Sequence, residues 1–201
     1  MFLTRNELNE LIAKQKLIIR PLLENSQINE MTIDLRLGYD FLVSIQGRWS
    51  FLNSASQNPE EGSFHKFFQD SRRKIGDTFL LHPNQTVLTT TLEYIKLPNN
   101  VSAVLSARSS YNRLGLSIST VIQPGYCGCF SLELTNSSNN PIQVRVGAAM
   151  FQARFVRTME ETNYFVKERK YICSVRPEIS GANKDSDLKI LEEIYKKELN
   201  I

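Results

Sequence analysis

The chain has 201 residues, 41% of them hydrophobic, with 24 basic against 21 acidic side chains and a net charge of +3. A chain of this length can bury about 70% of its unfolded surface, enough for one principal domain. So even a charge balance argues against a nucleic-acid surface, and any anion site must be local. No apolar run approaches the roughly 20 residues of a membrane helix, and Glu7 and Glu10 do not fit a signal-peptide core, so a cytoplasmic protein is expected, with neither membrane nor nucleic-acid partners. Cys127, Cys129 and Cys173 are odd in number and are expected as free thiols.

At the amino terminus, Thr4 and Glu7 have capping-box spacing, and Leu8, Leu11 and Ile12 continue it as a short amphipathic helix. From Leu17 to Ile45 the runs LIIRPLL, MTIDLRLG and DFLVSI, broken by Pro21, Asn25, Asn29 and Gly38, predict strands with tight connections. Asp34 within them reads as a hydrogen-bond acceptor at a turn or interface. Residues 53–77 show mixed charge and no clear period. A loop longer than about 15 residues points to a lid or an interface arm, and Phe64, Phe67 and Phe68 look exposed on it.

Strand signals return in TFLLHP (78–83), TVLTTTLEYIKL (86–97) and VSAVLSA (101–107). The stretch Leu105 to Thr135 follows, and it concentrates the chemistry. Arg108, Ser109, Ser110 and Arg113 fall within six positions, and guanidinium forks with hydroxyls suit phosphate oxygens. The same cluster also reads as a solvated turn. Gln123 to Gly128 is a turn-forming cluster. The strand after it sets Phe130, Leu132 and Leu134 on one face and Ser131, Glu133 and Thr135 on the other, so Glu133 points away from the apolar side.

Beyond Asn139-Asn140-Pro141, IQVRVGAAMFQARFV predicts two strands broken at Gly147. Residues 183–199 then align Leu188, Leu191, Ile194, Tyr195 and Leu199 on one helical face that should dock on this or a neighbouring subunit. Many short strands with only terminal helices predict an all-β barrel or sandwich over 1–175, followed by a tail, 176–201, that carries the amphipathic helix.

The motifs RSSYNRLGL (108–116), VIQPGYCGCFSLELTN (121–136) and PIQVRVGAAMFQARF (141–155) resemble those of the metal-free dCTP deaminases in order and approximate spacing. Upstream, TIDLRLG (32–38) and FLLHPNQTVLTTTLEYIKLP (79–98) resemble that family's first strands. Trimeric dUTPases, in the same superfamily, usually carry Gly where Ser110 stands, so the likeness leans to the deaminase branch. The resemblance implies a distorted, jelly-roll-like β-barrel of the dUTPase type, and a homotrimer whose sites lie between subunits. It also implies hydrolysis of dCTP to dUTP and ammonia. Glu133 would be the general base, Ser109 and Arg113 would orient the water and the amino group, and Arg108, Ser110, Gln123, Tyr164 and Lys170 would contact the nucleotide. Magnesium would be held by the triphosphate of the deoxynucleotide substrate.

The zinc-dependent deaminases use H-x-E and P-C-x-x-C ligand motifs, and neither occurs here, so no protein-bound zinc is expected. The chain departs from the resembling family in three places. Gln123 stands where relatives carry Asp, and an amide is no general base, which disfavours dUTP hydrolysis. The 114–123 hairpin is short, and the tail lacks the usual Gln/Gly closing element. The short hairpin and Gln123 favour one alternative, a catalytically silent nucleotide-binding or regulatory protein on the same fold, and a dUTP diphosphatase-like hydrolase is the other.

Overall fold

The computed structural model describes residues 1–45, 51–55, 64–166, 170–171 and 173–198. Its elements in chain order are α1 (Arg5–Ala13), β1 (Ile18–Arg20), β2 (Ile33–Arg36), β3 (Asp40–Ser44), β4 (Phe68–Arg72), β5 (Thr78–Leu81) and β6 (Thr86–Lys96). They continue with β7 (Val101–Ala107), α2 (Ser109–Asn112), β8 (Leu116–Ser117), β9 (Thr120–Ile122), β10 (Cys127–Asn136), β11 (Ile142–Arg145), β12 (Ala149–Arg157) and α3 (Ser186–Glu198). The architecture is all-β with few, short helices, as the strand pattern predicts. Two compact units divide the chain: Met1–Val43 with Asp70–Glu178, and Ser44–Gln69 with Ile179–Ile201. Among the described residues no helix is long and apolar enough to cross a membrane.

The α1 helix starts where the capping box places it. Glu7 accepts from the Thr4 backbone N–H at 2.9 Å and from its hydroxyl at 3.0 Å, while Leu8 and Leu11 turn into the core. The chain then builds three sheets. One runs β4-β3-β6-β10-β8 with β1 also on β6, a second pairs β11 with β5, and a third runs β2-β12-β7-β9. Inward residues alternate as the pleat requires: Ala103 and Leu105 from β7, Ala153 and Phe155 from β12, and Leu132 and Leu134 from β10 are all buried. Phe41 and Phe79 stack at 4.1 Å between centroids and close the core beside β3 and β5.

The pairing of β6 with β10 carries an irregularity that matters for both strands. Cys129 pairs with Tyr94 and Ser131 with Thr90, so Phe130 alone faces Thr91, Leu92 and Glu93. Thr91 fills the gap. Its hydroxyl accepts the Phe130 N–H at 2.9 Å and donates to the Glu93 carbonyl at 2.9 Å. The slip is by two residues, so side-chain parity survives, and Glu93 points inward with Val87, Thr89, Thr91 and Ile95.

Two expectations change. Within the 53–77 segment, Phe68–Arg72 forms β4 instead of loop, at the edge of the six-stranded sheet. FQDSR has no β-branched residue, and sheet pairing overrides that weak local preference. Phe64 is buried, and Phe67 and Phe68 are half-buried; residues 56–63 of the segment lie outside the described residues. The helix expected over 183–199 is found as α3, with Ile190, Leu191, Ile194 and Tyr195 exposed in the single chain.

Glu93 has no exposed surface. One of its oxygens accepts the Arg36 backbone N–H at 2.9 Å, and the other lies 3.4 Å from Gln27 Nε2. Burial nevertheless dominates these bonds and pushes the carboxyl from its ordinary 4.5 up to about 7. The folded state therefore holds this proton more tightly than the unfolded chain does. The resulting stability is fully present below about pH 4.5 and is lost as pH rises through about 7. Its full span is on the order of 3 kcal/mol. Glu93→Gln should flatten the fall in melting temperature between these pH values, and an unchanged slope in the variant would refute the assignment.

Candidate functional site

Arg108 ends the run of β7, and its carbonyl accepts from the N–H groups of Tyr111 and Asn112, which starts the single turn of α2. Ser109 and Arg113 are four positions apart on that turn, so they share a face, and Ser110 and Arg113 are neighbours at three. Ser109, Ser110 and Arg113 are exposed, and none has a side-chain hydrogen bond or ion pair among the described residues. The donors predicted from sequence are thus gathered on one short element.

Arg108 is the oriented member of the group. Asp34 Oδ2 lies 3.4 Å from its Nε, the Ala149 carbonyl accepts from Nη1 at 3.1 Å, and its backbone N–H donates to Met150 at 2.8 Å. Asp34 is itself held, because Asn29 Nδ2 donates to its other oxygen at 3.1 Å. Asp34 thus acts as the hydrogen-bond acceptor expected of it. Its partner lies 74 positions along the chain, on a strand that Asp34 meets only through β12, where Gln152 faces Asp34 on one side and Ser106 on the other.

Glu133 emerges from the outer face of β10 while Leu132 and Leu134 are buried on either side of it. Thr120, at the start of β9, donates its hydroxyl to Glu133 Oε2 at 3.1 Å. Sequence reasoning missed Thr120. Nothing local marks it, since the contact depends on β9, paired along β7 with Thr120 opposite Leu105, also passing beside β10. No cation pairs with Glu133 among the described residues.

The register separates these two groups within one chain. The pairs Thr135 with Ser117 and Asn136 with Leu116, and the bond from Ser137 N–H to the Gly115 carbonyl at 2.8 Å, set the turn after α2 beside residues 136–138. Glu133 lies three strand residues or more away, roughly 10 Å along β10. A cradle of donors and a carboxylate are therefore both formed, at separate places on the chain.

Gln123 is exposed and opens the turn whose Gly125 takes φ +78°. A Cβ on Gly125 would stand 2.8 Å from Asn99 Oδ1 and 2.9 Å from Tyr164 Cβ, so glycine is required there. Lys170 is exposed. Tyr164, which the resemblance places in contact with the nucleotide, is 6% exposed in the single chain. Its ring meets Tyr126 edge-on at 5.8 Å and its hydroxyl donates to the Tyr171 carbonyl at 3.2 Å. The residues after it are anchored to the start of β10, where the Cys129 N–H donates to the Ser174 carbonyl at 2.8 Å. Among the described residues no three His, Cys, Asp or Glu side chains are grouped to hold a metal ion.

Comparison with known proteins identifies the family and the fold. The family model described as dCTP deaminase-like matches residues 2–158. A protein of Methanobrevibacter smithii named "dCTP deaminase, dUMP-forming" is 30% identical over 93% of this chain and 98% of its own. One of the same name from Persephonella marina is 35% identical over 80% of this chain and 86% of its own. Among solved structures, a 2′-deoxycytidine 5′-triphosphate deaminase of Agrobacterium tumefaciens superposes with a TM-score of 0.58 at 24% identity. It covers 77% of this chain, which spans about half, 46%, of that longer one, and it shows a shared fold.

The close seating of Ser174 on Gly128 can be tested directly. Gly128 has φ +139°, and a Cβ there would lie 2.7 Å from the Ser174 carbonyl oxygen and 2.8 Å from the Tyr126 hydroxyl. Gly128→Ala should cost about 1–3 kcal/mol in a denaturant titration and speed proteolysis after Tyr164. An unaltered midpoint and cleavage rate would show that the segment is not seated on β10.

Proposed function

The chain belongs to the dCTP deaminase-like family, and from that premise we propose that it is a hydrolase that deaminates dCTP at C4 of cytosine, with Glu133 as the general base. The observation that carries this reading is Glu133 itself, a carboxylate presented to solvent by a strand locked into the core on both sides and oriented by Thr120. Glu133 takes a proton from water as its oxygen adds to C4 and returns it to the exocyclic nitrogen, while the remaining proton of that water passes from the C4 hydroxyl to N3 of the ring. The C4–N bond then breaks, ammonia leaves, and C4 keeps a carbonyl oxygen.

Ser109 and Arg113 would position the water and the amino group, while Arg108, held by Asp34, and Ser110 would take phosphate oxygens. The family resemblance further implies a homotrimer with sites between subunits, in which one subunit's Arg108 turn would face its neighbour's Glu133. Gln123 would hydrogen-bond the sugar, with Lys170 near the phosphates, and Tyr164 would act through the packing of the arm. Magnesium would arrive on the triphosphate, bound by its oxygens and water. The working compartment would be the cytoplasm.

The relatives' name extends the proposal to the product. A dUMP-forming enzyme must also hydrolyse the phosphoanhydride: a second water adds to the α phosphorus, the bond from that phosphorus to the bridging oxygen breaks, and pyrophosphate leaves with that oxygen. A reading that ends at dUTP is favoured by one observation: Gln123 is an amide and cannot activate that water.

Purified protein given dCTP and Mg²⁺ should release ammonia with dUMP and pyrophosphate, as separated by ion-exchange chromatography. Accumulating dUTP would select the second reading. Glu133→Gln should lower kcat by about 10²-fold or more while keeping nucleotide binding. Wild-type protein that is thermally stabilised by dCTP yet releases no ammonia would overturn the deaminase reading.

A further inference from the structure

Two of the three cysteines are brought together by the fold. Cys127, the first residue of β10, is 8% exposed, and Cys173 lies 46 positions further on in the carboxy-terminal segment, exposed. Their sulfurs are 2.7 Å apart, both as free thiols. This proximity is not an isolated side-chain meeting. The Ser174 carbonyl accepts the Cys129 N–H at 2.8 Å, and Gly128, lacking a Cβ, lets that backbone lie flat on β10. On the other side of Cys173, the Tyr171 carbonyl accepts from the Tyr164 hydroxyl at 3.2 Å. Backbone contacts to both flanks therefore hold the Cys173 Cα beside Cys127, and Cys173 itself takes the left-handed φ of +52°.

We propose that Cys127 and Cys173 form a dithiol modification site that closes to an intrachain disulfide on reaction with a small-molecule disulfide, fastening the carboxy-terminal segment to the start of β10. Cys173 is the entry point because it is exposed, and Cys127 is the resolving thiol because it is buried but already in contact. The Cys173 thiolate attacks one sulfur of glutathione disulfide and expels a glutathione thiolate, leaving a mixed disulfide on Cys173. The Cys127 thiolate then attacks the Cys173 sulfur and expels the second glutathione thiolate. The two protons lost by the cysteines pass to the two departing thiolates, so glutathione disulfide is reduced to two thiols as the protein pair is oxidised.

Closure of so long a loop restricts the unfolded chain, while the folded chain needs little movement because the sulfurs already touch. The bond therefore adds to stability, and it fastens covalently a segment that the Ser174 hydrogen bond and the Arg176–Asp40 ion pair also hold. Nothing in this inference depends on the nucleotide chemistry proposed for the chain.

The test uses the full-length protein, reduced and then incubated with glutathione disulfide. Intact mass should fall by two hydrogens with no glutathione retained, and peptide mapping should recover Cys127 joined to Cys173. The melting temperature should rise by about 5 °C or more, and dithiothreitol should reverse both changes in the unmutated protein. Cys127→Ser should stop at a glutathione adduct, Cys173→Ser should show no cross-link, and Cys129→Ser should cross-link as the wild type does. A wild-type protein that stops at the adduct would overturn the proposal. So would one that links Cys129, joins two chains, or does not react.

Discussion

The bulge where Phe130 faces Thr91, Leu92 and Glu93 is the constraint on which both ends of β10 depend. Thr91 makes it tolerable by supplying the hydrogen bond that Phe130 would otherwise lack in the core. Because the slip is by two residues, β10 keeps its phase, and Leu132 and Leu134 enter the core while Glu133 leaves it. A slip of one would bury the Glu133 carboxylate and expose the leucines. The same device has a cost, since parity on β6 drives Glu93 inward, where burial makes its charge unfavourable at neutral pH.

From this strand the functional parts extend in opposite directions. At its far end Glu133 is steadied by Thr120, and at its near end Gly128 and Cys129 receive the segment around Ser174. Arg108 is steadied elsewhere, by Asp34 and by the Ala149 carbonyl, on the sheet that carries β7 and β12. Arg108 and Glu133 are thus each anchored to a strand or its immediate end and aimed by side-chain contacts, an arrangement that positions groups better than a free loop does.

Much of this was legible from residues alone where the signal was local. Thr4 and Glu7 announce α1, and the alternation through Phe130–Thr135 sets the direction of Glu133. The run from Arg108 to Arg113 places its donors on one turn. Where the signal was weak or absent, the reading went astray. FQDSR was taken for loop because its residues have little strand preference of their own, and Phe64 looked exposed because its burial depends on neighbours that the pattern does not name. Tyr164 sits in a polar stretch that resembles a surface arm, yet its ring is packed against Tyr126.

Apart from β4, strand existence, facing and turn position were determined by the sequence itself, because hydrophobic period, capping chemistry and the conformational freedom of glycine act between residues a few positions apart. The partnerships of Asp34 with Arg108, Thr120 with Glu133, and Cys127 with Cys173 were decided only by the tertiary structure. Each joins residues brought together by strand order and register, which follow from burying all the apolar faces at once and leave no mark on any single stretch of chain.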